Sequence, residues 1–544
     1  MIVKRQILKS ASVITVVTLI SRICGYLRDQ RITLLLGTST AADSFILVFR
    51  LPALIRRMTA EGSLGASFIP LFIGYLRNRP RAEAWAFAQK VFWDMAALLA
   101  VLAVLGIVFS RQIIYAFTIF GGNRMQWYLA VYLNRIIFPS ILFIGLAAVA
   151  AAILNSFQVF GLPAATSIFF NLTLIAFSFG TVYRPILHVV PAAFRIPVVA
   201  LGIGVLAGSI VQLAVQIPAL VRRGMKFAVS LSATDPGVRR FGRLMGPSFF
   251  GMGVYQINLF VDMIFATSSR MPSGSITSLY IADRVMQLVL GSYAIAMSTA
   301  ILPAMAHQLA AGKLQEMKQT FGFALRFVSF ITIPAAVGLI LLRRPIIQVL
   351  FQHGRFAANS TSLTANALLY YSLGLPAFGA IKLITPMYYS AQDTLTPARA
   401  GAYALAANIV LNAVFLLFAF RYLSNGSPAL ASSLAAYFNF ILLFVLFRQR
   451  YGRLGARGLM ASLAKMAICT AGMGAISYEI LRFSNFPAIR HVLAQAGLLG
   501  CIIVASMTVY FGLAWLLRCE ELSEFFLLVR RAEHGMAPAG ETGI

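Results

Sequence analysis

Long apolar stretches occur so often in this sequence that they decide what the chain can fold into. Sixty per cent of the 544 residues are hydrophobic and 11% are charged, whereas an ordinary soluble domain has about 25% charged residues. This composition excludes a water-soluble enzyme, a disordered chain and a collagen-like fibre. A stretch of about 20 apolar residues can cross a bilayer as a helix. Fourteen stretches are long enough: 10–36, 41–75, 84–110, 127–153, 161–183, 193–220, 244–268, 276–306, 322–342, 362–390, 398–420, 428–447, 459–481 and 494–517.

The backbone chemistry of a bilayer limits what these stretches can form. A spanning segment has no water to bond its amides, so only helices and closed β-barrels cross a membrane. The apolar stretches here are too long and too continuous for barrel strands. We therefore predict an all-α polytopic membrane protein with about 14 transmembrane helices.

The distribution of basic residues gives the orientation. The chain has 45 Lys and Arg against 16 Asp and Glu, a net charge of +29. If the N-terminus is cytoplasmic, the cytoplasmic segments hold 23 basic residues and the opposite segments hold 11. This bias follows the positive-inside rule and predicts that both termini are cytoplasmic. The positive charge is thereby explained by membrane topology and attraction to membrane lipids, so we predict no nucleic-acid partner.

The N-terminal apolar run resembles a signal peptide but lacks a cleavage site. Lys4, Arg5 and Lys9 precede it, and the residues that follow, 21–24, are not the small residues that a signal peptidase needs. We interpret this run as the first membrane span.

An internal repeat divides the chain. Six residues recur about 234 positions later: Ser44, Arg50, Ser156, Gln158 and Pro163 as Ser278, Arg284, Ser390, Gln392 and Pro397, and Pro70 as Pro303 at an offset of 233. Each copy holds six spans, an even number that keeps both copies in the same orientation. We predict an N-lobe at 1–225 and a C-lobe at 226–450, joined by the cytoplasmic linker 222–243. Residues 451–544 hold spans 13 and 14 and a cytoplasmic tail.

Charged residues crowd the first two spans, where each is costly in lipid. They are Arg22, Arg28, Asp29, Arg31, Asp43, Arg50, Arg56, Arg57 and Glu61, and later spans add Arg135, Asp262, Asp283, Arg284 and Lys382. Arginines outnumber carboxylates in the first two spans, and the planar guanidinium binds phosphate oxygens in a bidentate way. The pattern predicts a polar cavity for an anionic substrate. The alternative for any single arginine is a side chain that reaches the membrane surface.

Polar residues in later spans indicate a second type of site. Asp262 is a lone acid in its span, and Asn408 and Asn412 lie one helical turn apart. These oxygens could bind Na⁺, Asp262 could carry a proton, or all three could form hydrogen bonds between helices. No catalytic motif accompanies them, and the four scattered cysteines form neither a disulfide framework nor a metal motif. We therefore predict a protein without enzymatic activity, metal or cofactor.

Several segments carry a specific resemblance. The segments are Ser21–Asp29 (SRICGYLRD), Ala42–Phe45 (ADSF), Arg50–Arg57 (RLPALIRR), Ala60–Gly62, Phe68–Pro70, Ala282–Arg284, Ile301–Pro303, Phe351–Phe356 (FQHGRF) and Ser390–Asp393, the last followed by Thr396–Pro397. In this order they resemble the MurJ (MviN) lipid II flippase family of the MOP transporter superfamily. The resemblance implies two six-helix lobes around a central cavity, with spans 13 and 14 forming a lipid-facing groove. It also implies movement of undecaprenyl-diphosphate-linked peptidoglycan precursor (lipid II) to the outer leaflet of the bacterial cytoplasmic (inner) membrane.

The resemblance also assigns roles to residues. The family's functional positions fall here on Arg22, Arg28, Asp29, Asp43, Arg56 and Arg284. We predict that Arg22, Arg28, Arg56 and Arg284 bind the diphosphate. The residues expected to support them are Asp29, Asp43, Arg57, Glu61 and Asp283. Gln287 replaces a glutamate found in some members, and Asn412 stands where an aspartate can occur.

The resemblance leaves the driving force open among Na⁺, H⁺ and the membrane potential. Its ion site would fall near Asp262, Asn408 and Asn412. The expected partners are lipid II, membrane lipids and other cell-wall synthesis proteins.

Three other functions compete with this interpretation. A cation-coupled multidrug exporter of the same superfamily is disfavoured, because an arginine-rich cavity repels cationic drugs. A flippase for another polyprenyl-linked glycan is disfavoured only by the motif match. A membrane enzyme acting on polyprenyl phosphates would need an acidic metal-binding motif, whereas Asp235 and Glu316 stand alone in sequence.

Overall fold

The computed structural model of the chain describes residues 2–58, 64–121, 124–180, 196–232, 234–452, 456–484, 486, 489 and 491–523. Side chains are described throughout these ranges except at 2–15, 55–58, 65–66, 124–125, 180, 246–256, 292–303 and 456–457. The described part of the chain is helical and contains no β-strand, which confirms the all-α prediction.

Besides residues 520–523, which are also helical, twenty α-helices make up most of this part of the chain. They are α1 (Ile2–Leu36), α2 (Thr40–Met58), α3 (Leu64–Asn78), α4 (Arg81–Val108), α5 (Ser110–Phe117), α6 (Arg124–Ile137), α7 (Ser140–Ser156), α8 (Gly161–Gly180), α9 (Pro197–Ala214), α10 (Ile217–Val221), α11 (Pro236–Ala266), α12 (Ser275–Ala310), α13 (Leu314–Phe351), α14 (Ala358–Leu373), α15 (Leu375–Ser390), α16 (Leu395–Val414), α17 (Phe420–Leu423), α18 (Ser427–Tyr451), α19 (Ala456–Phe483) and α20 (Val492–Leu516). A π-turn (Phe415–Ala419) and a 3₁₀ turn (Ser424–Gly426) lie between α16 and α18.

The helices agree with the predicted spans in position. Each of the fourteen apolar stretches overlaps a long helix or two consecutive helices. By length and apolarity alone, seven described helical segments could cross a membrane, or nine when the bent pairs α6–α7 and α14–α15 count as one span each. Helix α2 does not satisfy this criterion, and it carries Asp43 and three arginines. The total of fourteen stays a prediction.

The sequence repeat has a counterpart in the backbone. Helices α6 and α8 begin 234 residues before α14 and α16 respectively. Gln158 and Gln392, also 234 residues apart, both adopt left-handed backbone conformations with φ of 59° and 58°. The same two hydrogen bonds close each turn. In the first copy, the Gln158 N–H donates to the Asn155 carbonyl and the Val159 N–H to the Leu154 carbonyl. In the second copy, the Gln392 N–H donates to the Tyr389 carbonyl and the Asp393 N–H to the Tyr388 carbonyl. Both copies therefore end the helix before the turn with the same αL cap.

Glycine at either capping position is expected to stabilise the protein. A non-glycine residue in the left-handed region is sterically unfavourable, so Gln392→Gly or Gln158→Gly should raise the free energy of unfolding by up to about 1 kcal/mol. The matched control is Gln449→Gly, because Gln449 is exposed within the right-handed helix α18 and glycine there costs about 1 kcal/mol. Thermal unfolding midpoints in detergent should move in opposite directions. A lower midpoint for Gln392→Gly would contradict the αL assignment.

Close packing divides the chain into two compact units. The first consists of residues 1–280 and 351–360, and the second of 281–350 and 361–544. The boundary falls inside α12, whereas the predicted lobes follow the sequence repeat, so the limits 1–225, 226–450 and 451–544 stay predictions.

The core of the first unit is aromatic. Phe68, Phe72, Phe87 and Phe92 are buried together, and Phe68 stacks on Phe87 with ring centroids 5.8 Å apart. This core joins α3, α4 and α7 to the start of α11, because Phe241 packs edge-on against Phe68 at 6.0 Å. It thereby fixes the segment around 222–243 to the helices before it.

In the second unit, helices α19 and α20 form a hairpin that packs on α13. Ser477 and Ser506 join the two helices by a hydrogen bond of 2.6 Å. The Tyr510 hydroxyl donates to the Phe330 carbonyl of α13 at 2.7 Å. Arg326 of α13 also contacts Glu521, beyond α20, at 3.7 Å. Helices α19 and α20, which have no copy in the sequence repeat, are therefore held to the second unit by several separate contacts.

Candidate substrate site

An ion pair on α1 forms the centre of the charged cluster in the first unit. Arg28 and Asp29 are both buried, with relative exposures of 5% and 3%. Nη2 and Nε of Arg28 donate to Asp29 Oδ1 at 2.6 and 3.0 Å. The guanidinium also lies 5.2 Å from the centroid of the Phe49 ring of α2. A buried charge pair of this kind costs several kcal/mol when one partner is removed, so its two members depend on each other.

Two residues that the sequence analysis did not single out complete this network. Arg28 Nη1 donates to Asn171 Oδ1 of α8 at 2.9 Å. Arg28 Nη2 also donates to the Tyr280 hydroxyl of α12 at 3.1 Å, and that hydroxyl donates to Asp29 Oδ1 at 3.0 Å. We refer to Arg28, Asp29, Asn171 and Tyr280 as the arginine network. Polar side chains within apolar spans were the only available signal for Asn171 and Tyr280.

Arg50 of α2 lies beside the arginine network. Its guanidinium is 4.9 Å from the centroid of the Tyr280 ring, and its Nη1 is 3.6 Å from Met263 Sδ of α11. Tyr280 thus contacts Arg28 through its hydroxyl and Arg50 through its ring face. Two arginines on one tyrosine concentrate positive charge where α1, α2 and α12 meet.

Asp43 of α2 caps the first turn of α12. It is buried, and its Oδ2 accepts the Gly274 N–H at 2.7 Å. Its Oδ1 accepts both the N–H and the hydroxyl of Thr277, at 2.8 and 2.7 Å. A carboxylate at a helix N-terminus satisfies unpaired amides and opposes the helix dipole. Sequence reasoning selected Asp43 as a partner for arginines, and the structure adds this capping role.

Asp43 lies where three turns meet. These turns are residues 37–39, 267–274 and 352–357, and we refer to them, together with the helix ends beside them, as the three-turn joint. Arg355 N–H donates to the Leu34 carbonyl at 3.0 Å. The hydroxyls of Thr38 and Ser360 are 2.7 Å apart, and those of Thr40 and Ser273 are 3.1 Å apart. At this end of the first unit, α1 and α2 are therefore tied to α12 and α14.

The other predicted site residues have different surroundings. Arg22 is exposed on α1. The side chains of Arg56 and Arg57 and all of Glu61 lie outside the described residues. Asp283 and Arg284 belong to the second unit, where Gln287 Nε2 donates to both oxygens of Asp283 at 2.9 and 3.0 Å. Gln287 thus supports Asp283 as a donor, which a glutamate carboxylate could not do. The predicted roles of Arg22, Arg56 and Arg284 stay predictions.

The predicted ion ligands divide between the two units. Asp262 is buried in the first unit. Asn408 and Asn412 are buried in the second, where Asn412 Nδ2 donates to Asn408 Oδ1 at 3.2 Å and Asn408 Nδ2 donates to Ser432 Oγ at 3.3 Å. Among the described residues, no group of three or more His, Cys, Asp or Glu side chains could hold a metal ion. Binding of Na⁺ or H⁺ at these positions stays a prediction.

Comparison with known proteins assigns the family. The model of the lipid II flippase MurJ family matches residues 32–496. A probable lipid II flippase MurJ of Vibrio cholerae is 33% identical over 489 residues, covering 88% of this chain and 90% of the relative. A probable MurJ of Rhizobium tropici is 32% identical over 509 residues and covers 92% of both chains. The chain belongs to the lipid II flippase MurJ family.

Solved structures agree with this MurJ assignment. A lipid II flippase MurJ in an inward closed conformation matches with a TM-score of 0.75 at 26% identity, covering 92% of this chain and 98% of that one. An inward-facing multidrug resistance MATE transporter of the MOP superfamily matches with a TM-score of 0.62 at 15% identity, over 82% of this chain and 96% of that one. The second match shows a shared fold only. MurJ membership therefore confirms the resemblance noted in the sequence.

Proposed function

We propose that this MurJ family member flips lipid II from the inner to the outer leaflet of the bacterial cytoplasmic membrane by alternating access. A diphosphate cannot cross hydrocarbon unaided, because it would lose its hydration. Fixed arginines inside a helical protein can replace that hydration while the polyprenyl tail stays in lipid. Such transport requires no covalent chemistry.

The arginine network is the observation that carries this proposal. It holds a guanidinium in a buried position on α1, and its partners lie on both sides of the linker 222–243: Asn171 before it and Tyr280 after it. Alternating access requires helices before and after the linker to change their contacts during the cycle. The bonds of Tyr280 are suited to form in one state and break in another.

The carboxylate of Asp29 gives the network a second property. A diphosphate oxygen, like Asp29 Oδ1, is an anionic acceptor for the guanidinium of Arg28, so the substrate can exchange with an internal partner. Arg28 would not then be left buried without an anion, which would cost about 3–5 kcal/mol. Substrate binding and helix movement would be coupled through one side chain.

We propose that the contacts of the three-turn joint close the protein on the side that faces the cell exterior. If both termini are cytoplasmic, the turn between α1 and α2 faces the cell exterior. Reporter fusions near residues 235 and 455 should then indicate a cytoplasmic location, and fusions near 120 and 350 an external one. A reversed result at 455 would mean that the span count is wrong, and a reversed result near 350 would place the joint on the cytoplasmic side.

Asp262 is our candidate for coupling transport to an ion gradient. It is a buried carboxylate in a predicted span, a type of position common in proton and cation pathways. Asp262→Asn should change the dependence of transport on Na⁺, H⁺ or membrane potential while lipid II binding stays close to that of the unmodified protein. Both are measured in vesicles with imposed gradients. An unchanged dependence would assign Asp262 to helix packing instead.

The deciding experiment is translocation of fluorescent lipid II in vesicles that contain the purified protein. Lipid II that reaches the outer leaflet is quantified by a membrane-impermeant quencher, with and without an imposed potential. We expect protein-dependent translocation that unlabelled lipid II inhibits and a cationic drug does not. Equal inhibition by a different polyprenyl-linked glycan would indicate a broader flippase.

A further inference from the structure

Nine exposed basic side chains lie on the linker and on the helix ends beside it in the first unit. We name this set the basic linker face: Arg77, Arg79, Arg81, Arg222, Arg223, Lys226, Arg239, Arg240 and Arg243. They come from the α3–α4 turn, the end of α10, the linker and the start of α11. The linker directly follows the apolar helical segment Pro197–Val221, so this face lies at the end of a candidate membrane span.

The linker is held in place by specific contacts with α4. Met225 is buried, and the Phe227 ring packs against Phe92 with centroids 5.5 Å apart. Ser232 N–H donates to Asp94 Oδ1 at 3.1 Å. The basic side chains are therefore carried on a fixed backbone.

The acids described beside this face, Glu83, Asp94 and Asp235, all have hydrogen-bond or ion-pair partners. Asp235 caps α11 by accepting the Gly237 N–H at 2.8 Å, and it pairs with Lys90 at 2.8 Å. The hydrogen bond from Lys90 holds the pKa of Asp235 below its usual value, so this acid stays charged and engaged at neutral pH. Glu83 pairs with Arg79 at 3.3 Å. The outward charge of the face is thus strongly positive.

Two aliphatic side chains of the linker lie exposed among these cations. Val229 and Leu231 have relative exposures of 69% and 61%. Exposed aliphatic groups beside Lys and Arg are typical of segments that lie in the membrane interface. A nucleic-acid surface would instead present aromatic rings for stacking, and the exposed side chains described in this linker offer none.

We infer that the basic linker face binds the headgroups of anionic phospholipids, with Val229 and Leu231 inserted among the acyl chains. This lipid site is separate from the arginine network and goes beyond the proposed transport function. It anchors the segment that joins the predicted lobes to the membrane surface.

The first test reports insertion directly. Leu231→Cys is labelled with the fluorophore NBD in full-length protein carrying Cys24→Ser and Cys501→Ser, since the other two cysteines are buried. The protein is reconstituted in phosphatidylcholine vesicles with 0–50 mol% phosphatidylglycerol. We expect the NBD emission to shift to the blue, and to be quenched by doxyl-labelled lipid, as the phosphatidylglycerol fraction rises. An emission typical of water at every fraction would overturn the inference.

The second test separates headgroup binding from other causes. One variant combines Arg222→Gln, Arg223→Gln, Lys226→Gln and Arg239→Gln. It should need at least about fivefold more phosphatidylglycerol for the same emission shift, because the loss of a single fully engaged cation already has an effect of this size. The control variant carries four neutralised exposed arginines of the second unit, Arg344, Arg399, Arg421 and Arg448, and should behave like the unmodified protein.

Two additions complete this test. Raising the NaCl concentration from 50 to 500 mM should weaken the blue shift of the NBD emission in the protein that keeps its basic residues. This measurement does not depend on whether the neutralised variant folds. Inorganic phosphate at 10 mM should leave the shift intact, because it lacks the acyl chains. A shift that is insensitive to salt and to the four neutralisations, or one that free phosphate abolishes, would overturn the inference.

Discussion

Replacing Arg28 by lysine is expected to abolish or strongly impair lipid II flipping while the protein still folds. Lysine keeps the positive charge, but it cannot reach Asp29, Asn171 and Tyr280 at once as the guanidinium does. One lost charge-assisted contact is worth about 1.5–3 kcal/mol, so the flipping rate should fall at least about tenfold. Arg28→Ala should be worse, because it removes the cation of a buried ion pair and costs about 3–5 kcal/mol of stability.

The measurement combines growth and rate. The variants are expressed in a flippase-depleted bacterium, protein levels are compared, and the initial rates of lipid II translocation are measured in vesicles. Arg421→Lys serves as control, because Arg421 is exposed on the short helix α17. Tyr280→Phe removes one hydroxyl that bonds both Arg28 and Asp29 and should have an intermediate effect. If cells that depend on Arg28→Lys grow normally at normal expression, the arginine network has only a structural role.

The fold was largely predictable because its signals are local. Apolar length places each helix, and a bilayer leaves the backbone no alternative to the helix. The repeat was also readable, and Gln158 and Gln392 show it in the backbone, since both close the same turn. The number of helices that cross the membrane stays a prediction, because length and apolarity alone select seven to nine described segments and count Leu395–Tyr451, which holds two predicted spans, as one.

The candidate site was predictable only in part, and the reason is sequence separation. Arg28 and Asp29 were both selected from the sequence, but their ion pair was not predicted, because adjacent side chains on a helix do not usually face each other. Asn171 and Tyr280 lie 143 and 252 residues from Arg28, and no local pattern indicates which distant polar group meets a given arginine. Asp43 was selected for its charge, but its capping of α12 depends on a backbone segment more than 230 residues away. Contacts of this kind require the packed structure.

The substitution Asp43→Asn is expected to open the three-turn joint. The new side-chain amide would keep one carbonyl oxygen for Thr277, but its NH₂ group would then face the Gly274 N–H, placing two donors together. Loss of a charged acceptor with a buried donor left unpaired costs on the order of 2 kcal/mol, or about thirtyfold in the closed-to-open ratio. Gly274→Ala should act in the same direction, because Gly274 has a φ of 90° and an added Cβ would overlap the Thr38 backbone.

Opening can be measured by chemical labelling of a buried position in the joint. Ser360 is 4% exposed, so Ser360→Cys in a background carrying Cys24→Ser and Cys501→Ser should react slowly with a membrane-impermeant maleimide added to intact cells. Asp43→Asn should raise the labelling rate at least about tenfold. Asp235→Asn is the matched control, because Asp235 also caps a long helix but lies outside the joint. Equal labelling in both variants would mean that Asp43 stabilises α12 without controlling access, and the joint would not be the outer gate.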